Sequence, residues 1–264
     1  MISYPVIDPE IVRFGPVAVR WYGVMYLVGF ASSYALVRAQ IKKQGLALSS
    51  DFLDSFYTSI ILGLVIGARL GYVLFYDLSA YLNHPSNIIA VWQGGMSFHG
   101  GLIGSVVAGV WCCKKFKVDS WLVADLVIVT APIGLGMGRI GNFINGELFG
   151  RVTDVPWGMV FPNGGPFPRH PSQLYEFFLE GVVLFSVLWI MKSRMRGNGG
   201  LSSLFVILYG AIRFTVEFFR EPDAQLGFVA GPFTMGQVLS ACMVLAGIGL
   251  LFMLRKVPAS KAKS

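Results

Sequence analysis

Residues 119–150 read DSWLVADLVIVTAPIGLGMGRIGNFINGELFG. The first twenty, 119–138, are apolar except for Asp119, Ser120, Asp125 and Thr130. About 20 such residues are what an α-helix needs to cross the hydrocarbon core of a bilayer. The run then changes character at Arg139, and Gly138–Gly150 brings an arginine, two asparagines, a glutamate and four glycines to its end. A membrane helix that delivers polar groups at its end predicts a membrane protein with a site near one face.

The rest of the chain agrees with this reading. Of the 264 residues, 55% are hydrophobic and 13% are charged, where a soluble domain carries about 25% charged residues. Mean hydropathy is +0.64. This composition excludes a soluble enzyme, a disordered chain and a disulfide-stapled secreted domain. Seven stretches are long and apolar enough to span: 17–37, 52–75, 86–113, 119–138, 172–191, 200–219 and 233–254. The predicted fold is an all-α polytopic helix bundle of seven transmembrane helices, forming a single integral membrane domain over 1–264. The third stretch is interrupted at Gly94–Gly101. It reads as a short re-entrant or tilted entry followed by a helix starting near Ser97. Irregular backbone at membrane depth is tolerated only where protein or a watery cavity covers it.

Charge sets the orientation. The net charge is +7. Arg38, Lys42 and Lys43 follow span 1, and Lys114, Lys115 and Lys117 follow span 3. Lys192, Arg194 and Arg196 follow span 5, and Arg255, Lys256, Lys261 and Lys263 follow span 7. These 13 of the 21 basic residues include every lysine and fall on one side. Cytoplasmic loops carry such an excess, so the N-terminus is expected in the periplasm and the C-terminus in the cytoplasm. Residues 1–16 become a short periplasmic arm, 139–171 a periplasmic loop or cap, and 255–264 a basic cytoplasmic tail. No basic segment or cleavage site marks a cleaved signal peptide at the N-terminus. Cys112, Cys113 and Cys242 show no metal or redox spacing and read as inert small hydrophobes.

Ionisable side chains inside a membrane are costly and default to a functional hypothesis. Most of them map to the outer half of the predicted bundle. Arg69 lies roughly 26 Å along span 2 and Arg213 roughly 20 Å along span 6, at about 1.5 Å per residue. Arg139 ends span 4. Arg20, Tyr22, His99, Gln173, Glu176 and Glu180 open the inward-running spans, while Asp54 and Asp125 sit near cytoplasmic ends. Tyr209, Arg213 and Glu217 are spaced by four, hence on one helix face, with Arg220 close behind. Arg69, Arg139 and Arg213 are expected to share one level with too few carboxylates to neutralise them. Surplus guanidinium in a dry cleft binds a phosphate or carboxylate by paired hydrogen bonds.

In Gly138–Gly150 the glycines permit close approach to a ligand. Arg139, Asn142 and Asn145 can bond an anionic head group, and Glu147 can orient Arg139 or accept from a hydroxyl. His99 sits at a helix N-terminus, whose partial positive charge favours a neutral imidazole able to act as a base. Ser97 and His99 lack the elbow and third partner of a serine hydrolase. His84, His99 and His170 are too scattered for a metal site, and no phosphate-binding glycine loop or dinucleotide fingerprint is present. No metal or other cofactor is expected.

On these residues the sequence resembles the bacterial prolipoprotein diacylglyceryl transferase family. The family signature is matched over Gly138–Gly150, its His-Gly-Gly segment by Gly94–Gly101 and its Trp-Tyr-Gly opening by Trp21–Gly23. Arg169–Glu176 and Tyr209–Asp223 match further blocks, so the resemblance covers nearly the whole chain. It implies a bacterial inner-membrane transferase with its active site near the periplasmic face. Such an enzyme moves the diacylglyceryl group of phosphatidylglycerol to the lipobox cysteine of a prolipoprotein signal peptide and releases glycerol 1-phosphate. The partners implied are phosphatidylglycerol, prolipoprotein signal peptides and the bilayer, with no nucleic acid. The resemblance marks Tyr22, His99, Arg139, Asn142, Glu147 and Arg213 as functionally important. The catalytic set expected here is His99, Arg139, Arg213 and Tyr22. The substrate-binding set is Arg139, Asn142, Asn145, Glu147, Gly150, Tyr209 and Glu217. Two competing readings are an organic-anion secondary transporter and a non-catalytic lipid-binding scaffold. A transporter would place its site at the midplane within a structural repeat, and neither feature is visible. Loss of thioether formation on Arg139→Ala in a folded bundle separates an enzyme from both.

Overall fold

A computed structural model describes residues 2–5, 7–15, 17–195, 198–221 and 228–255. Arg196, Asp223, Lys256, Lys261 and Lys263, named above, lie outside the described residues. The chain divides into two compact units, Met1–Val37 with Ala124–Ser264, and Arg38–Val123.

The protein is mostly helical but not purely so. Strands β1 (Glu10–Phe14) and β2 (Val17–Arg20) pair antiparallel before helix α1 (Trp21–Lys43). Arg20 therefore belongs to a strand rather than to the first span. Two of its neighbours explain the order there: Glu10 bonds Arg13 at 3.0 Å and meets Arg20 at 3.3 Å. Arg13 holds the Glu10 carboxyl below its usual range. A second short hairpin, β3 (Phe228–Ala230) with β4 (Phe233–Thr234), precedes the last helix.

In the Arg38–Val123 unit, α2 (Ser50–Phe75) packs along α4 (Phe98–Lys115). Ser49 caps α2, its hydroxyl accepting from the Phe52 amide. Ser97 caps α4, accepting from the Gly100 amide at 3.3 Å, so the helix start expected near Ser97 is present. Between them run the short helix α3 (Leu78–Asn83) and two 3₁₀ turns, Pro85–Ile89 and Val91–Gln93. The α2–α4 seam is built from residues four apart, Gly63, Gly67 and Gly71 against Gly100, Gly104 and Ala108. A side chain at Gly67 would strike Gly104 Cα at 2.8 Å. In lipid there is no hydrophobic drive between helices, so close backbone approach supplies the packing. Gly104→Leu is therefore expected to lower the folded yield and the thermal midpoint in detergent, because overpacking costs about 1–3 kcal/mol or more. Gly249→Leu, which faces open space, should leave both unchanged.

In the other unit, α5 (Ser120–Ile128) and α6 (Ala131–Ile144) meet at a 43° bend. The run predicted as one span is thus two helices, with Thr130 and Pro132 at the break. Helix α6 also continues past Arg139 to Ile144, so the predicted cap boundary of 139 moves to Asn145. Gly138 and Gly141 do not break the helix, because the Tyr22 ring packs on Gly141 where a side chain would stand. Next come α7 (Ser172–Glu176), a π-helical segment Phe177–Val183, and α8 (Leu184–Met191), which together form one 20-residue helix. Gly136 of α6 meets Gly181 of the π-helical segment. Helices α9 (Gly200–Val216) and α10 (Met235–Arg255) complete the unit, with Gly210 packed on Ser240. Val129, Leu184, Leu188 and Leu201 form a fully buried apolar centre. Asp125, also fully buried, accepts from the Gly199 and Ser202 amides and the Ser202 hydroxyl at 2.9–3.0 Å. It supplies the start of α9 with the cap that Gly199 lacks.

Among the described residues, four helices are long and apolar enough to cross a membrane: α1, α2, Ser172–Met191 and Met235–Leu254. The bent α5–α6 pair makes a fifth if it is one span, and α9 is apolar but shorter.

Candidate active site

Residues 145–171 fold as a cap rather than as a free loop. Gly150 and Arg220, Val152 and Arg169, and Met159 and Arg169 make isolated antiparallel bridges. The Tyr4 hydroxyl donates to the Phe143 carbonyl at 2.6 Å, satisfying an end carbonyl of α6. Under this cap lies a cluster of six ionisable side chains. Arg139 Nε is 2.7 Å from Glu176 Oε2, and Arg139 Nη2 is 3.4 Å from Glu180 Oε2. Arg213 contacts Glu176 at 3.1 Å, Glu180 at 3.7 Å and Glu217 at 3.1 Å. Arg220 contacts Glu176 at 2.9 Å and Glu217 at 3.5 Å. Thr234 donates to the other oxygen of Glu217 at 3.0 Å.

The elements explain the convergence. Glu176 ends α7, Glu180 lies in the π-helical turn, Arg139 stands on α6, and Arg213 and Glu217 lie one turn apart at the end of α9. Both Glu176 and Glu180 are fully buried, a depth at which a carboxylate requires paired cations. Single-turn π segments recur at functional sites.

This arrangement corrects the expected surplus of arginine. Three arginines face three glutamates, so the cluster is balanced in formal charge. The carboxylates were present in the sequence, but which would reach the arginines depends on helix contacts. Arg69 is not a member. It lies in the Arg38–Val123 unit, 4% exposed, with its guanidinium turned to backbone carbonyls. The balanced cluster is nonetheless short of hydrogen bonds. Glu176 Oε2, Glu180 Oε1, Arg213 Nη1 and Arg220 Nε make ion contacts but no hydrogen bond of good geometry. A buried polar network in that condition gains from a ligand that supplies the missing partners.

The remaining predicted residues sort as follows. Glu147 accepts from Asn142 Nδ2 at 2.9 Å and Asn145 Nδ2 at 3.1 Å. It therefore orients the two asparagines, and among the described residues neither Arg139 nor a hydroxyl, the two partners the sequence suggested, is bonded to it. Gln173 holds the Glu147 carbonyl at 2.6 Å and Ser172 that of Leu148 at 3.0 Å. The backbone turns sharply at Gly146 and Leu148, both with positive φ. At Gly150 the close neighbours are the chain's own Phe219 carbonyl and His170, so this glycine serves the cap's packing. Tyr22 packs on Gly141 and pairs its hydroxyl with Tyr26 at 3.2 Å. Tyr209 stacks on Phe205 and lies within electrostatic reach of Glu180, Arg139 and Arg213. His99 stands exposed in the first turn of α4, in the Arg38–Val123 unit.

Glu176, Glu180, Arg220 and Thr234 belong to the cluster and were absent from the predicted site. The four-residue spacing of Glu176 and Glu180 was a usable signal; nothing in the sequence marked Thr234. Nearby, His170 Nδ1 lies 3.0 Å from the Tyr175 hydroxyl, which also takes a 2.6 Å bond from Trp157. Burial pulls the His170 imidazole below its usual value, against the opposing charge of Asp154.

Comparison with known proteins bears on this geometry. A family model described as prolipoprotein diacylglyceryl transferase matches residues 9–253. A phosphatidylglycerol–prolipoprotein diacylglyceryl transferase of Geobacter sulfurreducens is 54% identical over 247 residues, covering 94% of this chain and 95% of its own. One from Desulfotalea psychrophila is 52% identical over 256 residues, covering 95% and 94%. One from Pseudomonas aeruginosa strain PAO1 is 49% identical over 265 residues, the whole of both chains.

Proposed function

The chain belongs to the prolipoprotein diacylglyceryl transferase family, and from that premise we propose how its own residues carry out the transfer. The enzyme moves the diacylglyceryl group of phosphatidylglycerol to a prolipoprotein. The thiol sulfur of the lipobox cysteine attacks the sp³ glyceryl carbon that bears the phosphate. A C–S bond forms, the C–O bond to phosphate breaks, and glycerol 1-phosphate leaves with the electron pair. The thiol proton goes first to a base and finally to solvent or the departing phosphate. The substrate supplies the nucleophile, so the enzyme needs no catalytic cysteine.

The observation that carries this reading is the convergence of Arg139, Arg213 and Arg220 on Glu176, Glu180 and Glu217. Developing phosphate charge is stabilised by donors already fixed in place. Arg139 and Arg213 take that role, exchanging part of their carboxylate contact for phosphate oxygens. The glutamates keep the guanidiniums oriented before substrate arrives. Asn142 and Asn145, held by Glu147, bond the glycerol head group, and Tyr209 and Glu217 flank the arginines that take the phosphate. His99 accepts the thiol proton, helped by Tyr22.

The membrane arrangement belongs to the same reading. Helix α4, of 18 residues, and α9, of 17, join the five longer spans. At about 1.5 Å per residue each covers roughly 26 Å, close to the hydrocarbon thickness of about 30 Å. Seven spans put the lysine-bearing ends in the cytoplasm and the arginine–glutamate cluster near the periplasmic face of the inner membrane. There the signal peptide's cysteine and the lipid head group are both at hand.

Purified protein incubated with phosphatidylglycerol vesicles and a lipobox peptide should give a peptide heavier by one diacylglyceryl group, read by mass spectrometry, with glycerol 1-phosphate released in equal amount. A chelator should leave the rate unchanged. A peptide of unaltered mass, or a rate lost to chelator and restored by added metal, would contradict the reading.

A further inference from the structure

We propose that Arg69 is a positioning residue for the transfer: it fixes the Asn87–Gly95 loop and, through it, the place of His99 at the head of α4. The inference rests on the reading of His99 as the base.

Arg69 is 4% exposed and, among the described residues, forms no ion pair. Its charge is met by backbone alone. Nε donates to the Ile88 carbonyl at 2.8 Å and Nη2 to that of Asn87 at 2.6 Å. Nη1 donates to Gly94 at 2.5 Å and Gly95 at 3.0 Å. The Tyr81 ring lies 5.1 Å from the guanidinium carbon. Four carbonyls from two parts of one loop thus aim at a single planar fork. A buried cation without a carboxylate is costly, and holding a surface loop does not by itself require one. What the fork adds is a single geometry, since its donors are rigidly coplanar.

The clamp is continuous with the start of α4. The carbonyl of Ala68, the residue before Arg69, accepts from the Ser97 amide at 2.8 Å. Ser97 is the cap of α4, and His99 follows two residues later. Gly71 lies against Gly100 and Ser97, where a side chain would come within 2.8 Å and 3.2 Å. One turn of α2 therefore sets the depth, distance and rotation of the turn that carries His99. The paired glycines fit the same account. Gly94 and Gly95 have φ of 87° and 76°, and a Cβ on Gly95 would sit 2.8 Å from both Arg69 Nη1 and the Tyr72 ring.

The test compares Arg69→Lys, Gly95→Ala and His99→Gln with the parent, using phosphatidylglycerol in detergent and a lipobox peptide. Lysine keeps the charge but has a point donor in place of the fork; alanine disturbs the same contact from the loop side and serves if the lysine variant does not fold. Thermal midpoints are measured beside kcat and KM. A misplaced catalytic group costs roughly up to 100-fold. The expected result is a 10- to 100-fold fall in kcat, KM for the lipid within about twofold, and a midpoint near the parent's. In the double variant with His99→Gln, Arg69→Lys should add nothing to the loss. Parental kcat in folded Arg69→Lys and Gly95→Ala, or losses that only track the midpoint, would overturn the proposal. Parental turnover in His99→Gln alone would instead remove the base reading, and a kcat loss from Arg69→Lys would then show the clamp acting through another group.

Discussion

Arg139→Ala is expected to lose thioether formation by at least about 1,000-fold, as removal of an oriented donor to a developing oxyanion costs roughly 10²–10³ before any loss of substrate orientation is added. The balanced cluster complicates the experiment. Removing Arg139 leaves Glu176 and Glu180, both fully buried, with fewer cations than carboxylates. An uncompensated buried charge destabilises by about 3–5 kcal/mol. The single variant could thus lose activity through unfolding. The double variant Arg139→Gln with Glu180→Gln removes one cation and one carboxylate and keeps formal balance. It should retain the parental thermal midpoint within a few degrees and still form no thioether product in the mass assay. Recovery of turnover in that folded double variant would mean that Arg139 serves only to neutralise Glu180, and the phosphate role would pass to Arg213 and Arg220.

His99→Gln should abolish transfer while lipid binding persists. Glutamine keeps a hydrogen-bonding side chain of similar reach but cannot take a proton. General-base removal costs about 10²–10⁴ in rate, whereas the head-group contacts proposed here lie on Arg139, Asn142 and Asn145. The check is single-turnover thioether formation beside equilibrium binding of a phosphatidylglycerol analogue. Normal turnover would show that another group, with Tyr22 first in line, accepts the thiol proton. Loss of both binding and turnover would place His99 in lipid recognition instead.

Several parts of this protein were legible in the chain. The break at Gly94–Gly101 and the helix start at Ser97 followed from glycine content and a serine preceding an apolar run, and the capped α4 is where they pointed. The Gly138–Gly150 segment carries the asparagine–glutamate group that its composition announced. Other parts were misread for identifiable reasons. The fourth span was ended at Arg139, where the apolar run stops; helix α6 goes on to Ile144, and Tyr22 packs on Gly141 in that added turn. Arg69 looked like a ligand-binding cation because its depth along span 2 put it level with Arg139 and Arg213. Its partners are main-chain carbonyls, which every residue has and no sequence pattern marks. Gly150 looked like a point of approach for ligand, and its neighbour is the chain's own backbone at Phe219.

Apolar runs and their lengths are properties of consecutive residues, so the primary structure by itself determined that this is a multi-helix membrane protein. Family membership was equally a matter of local motifs, from Trp21–Gly23 to Tyr209–Asp223. Which charge meets which was decided only in three dimensions. Glu176 is 37 residues from Arg139 and 44 from Arg220, and the contacts depend on the π-helical turn, the α5–α6 bend and the height at which α9 ends. Coulomb and hydrogen-bond energies fall off over a few ångströms, so small rotations of packed helices chose between a cluster of free guanidiniums and the balanced, under-bonded network that is present.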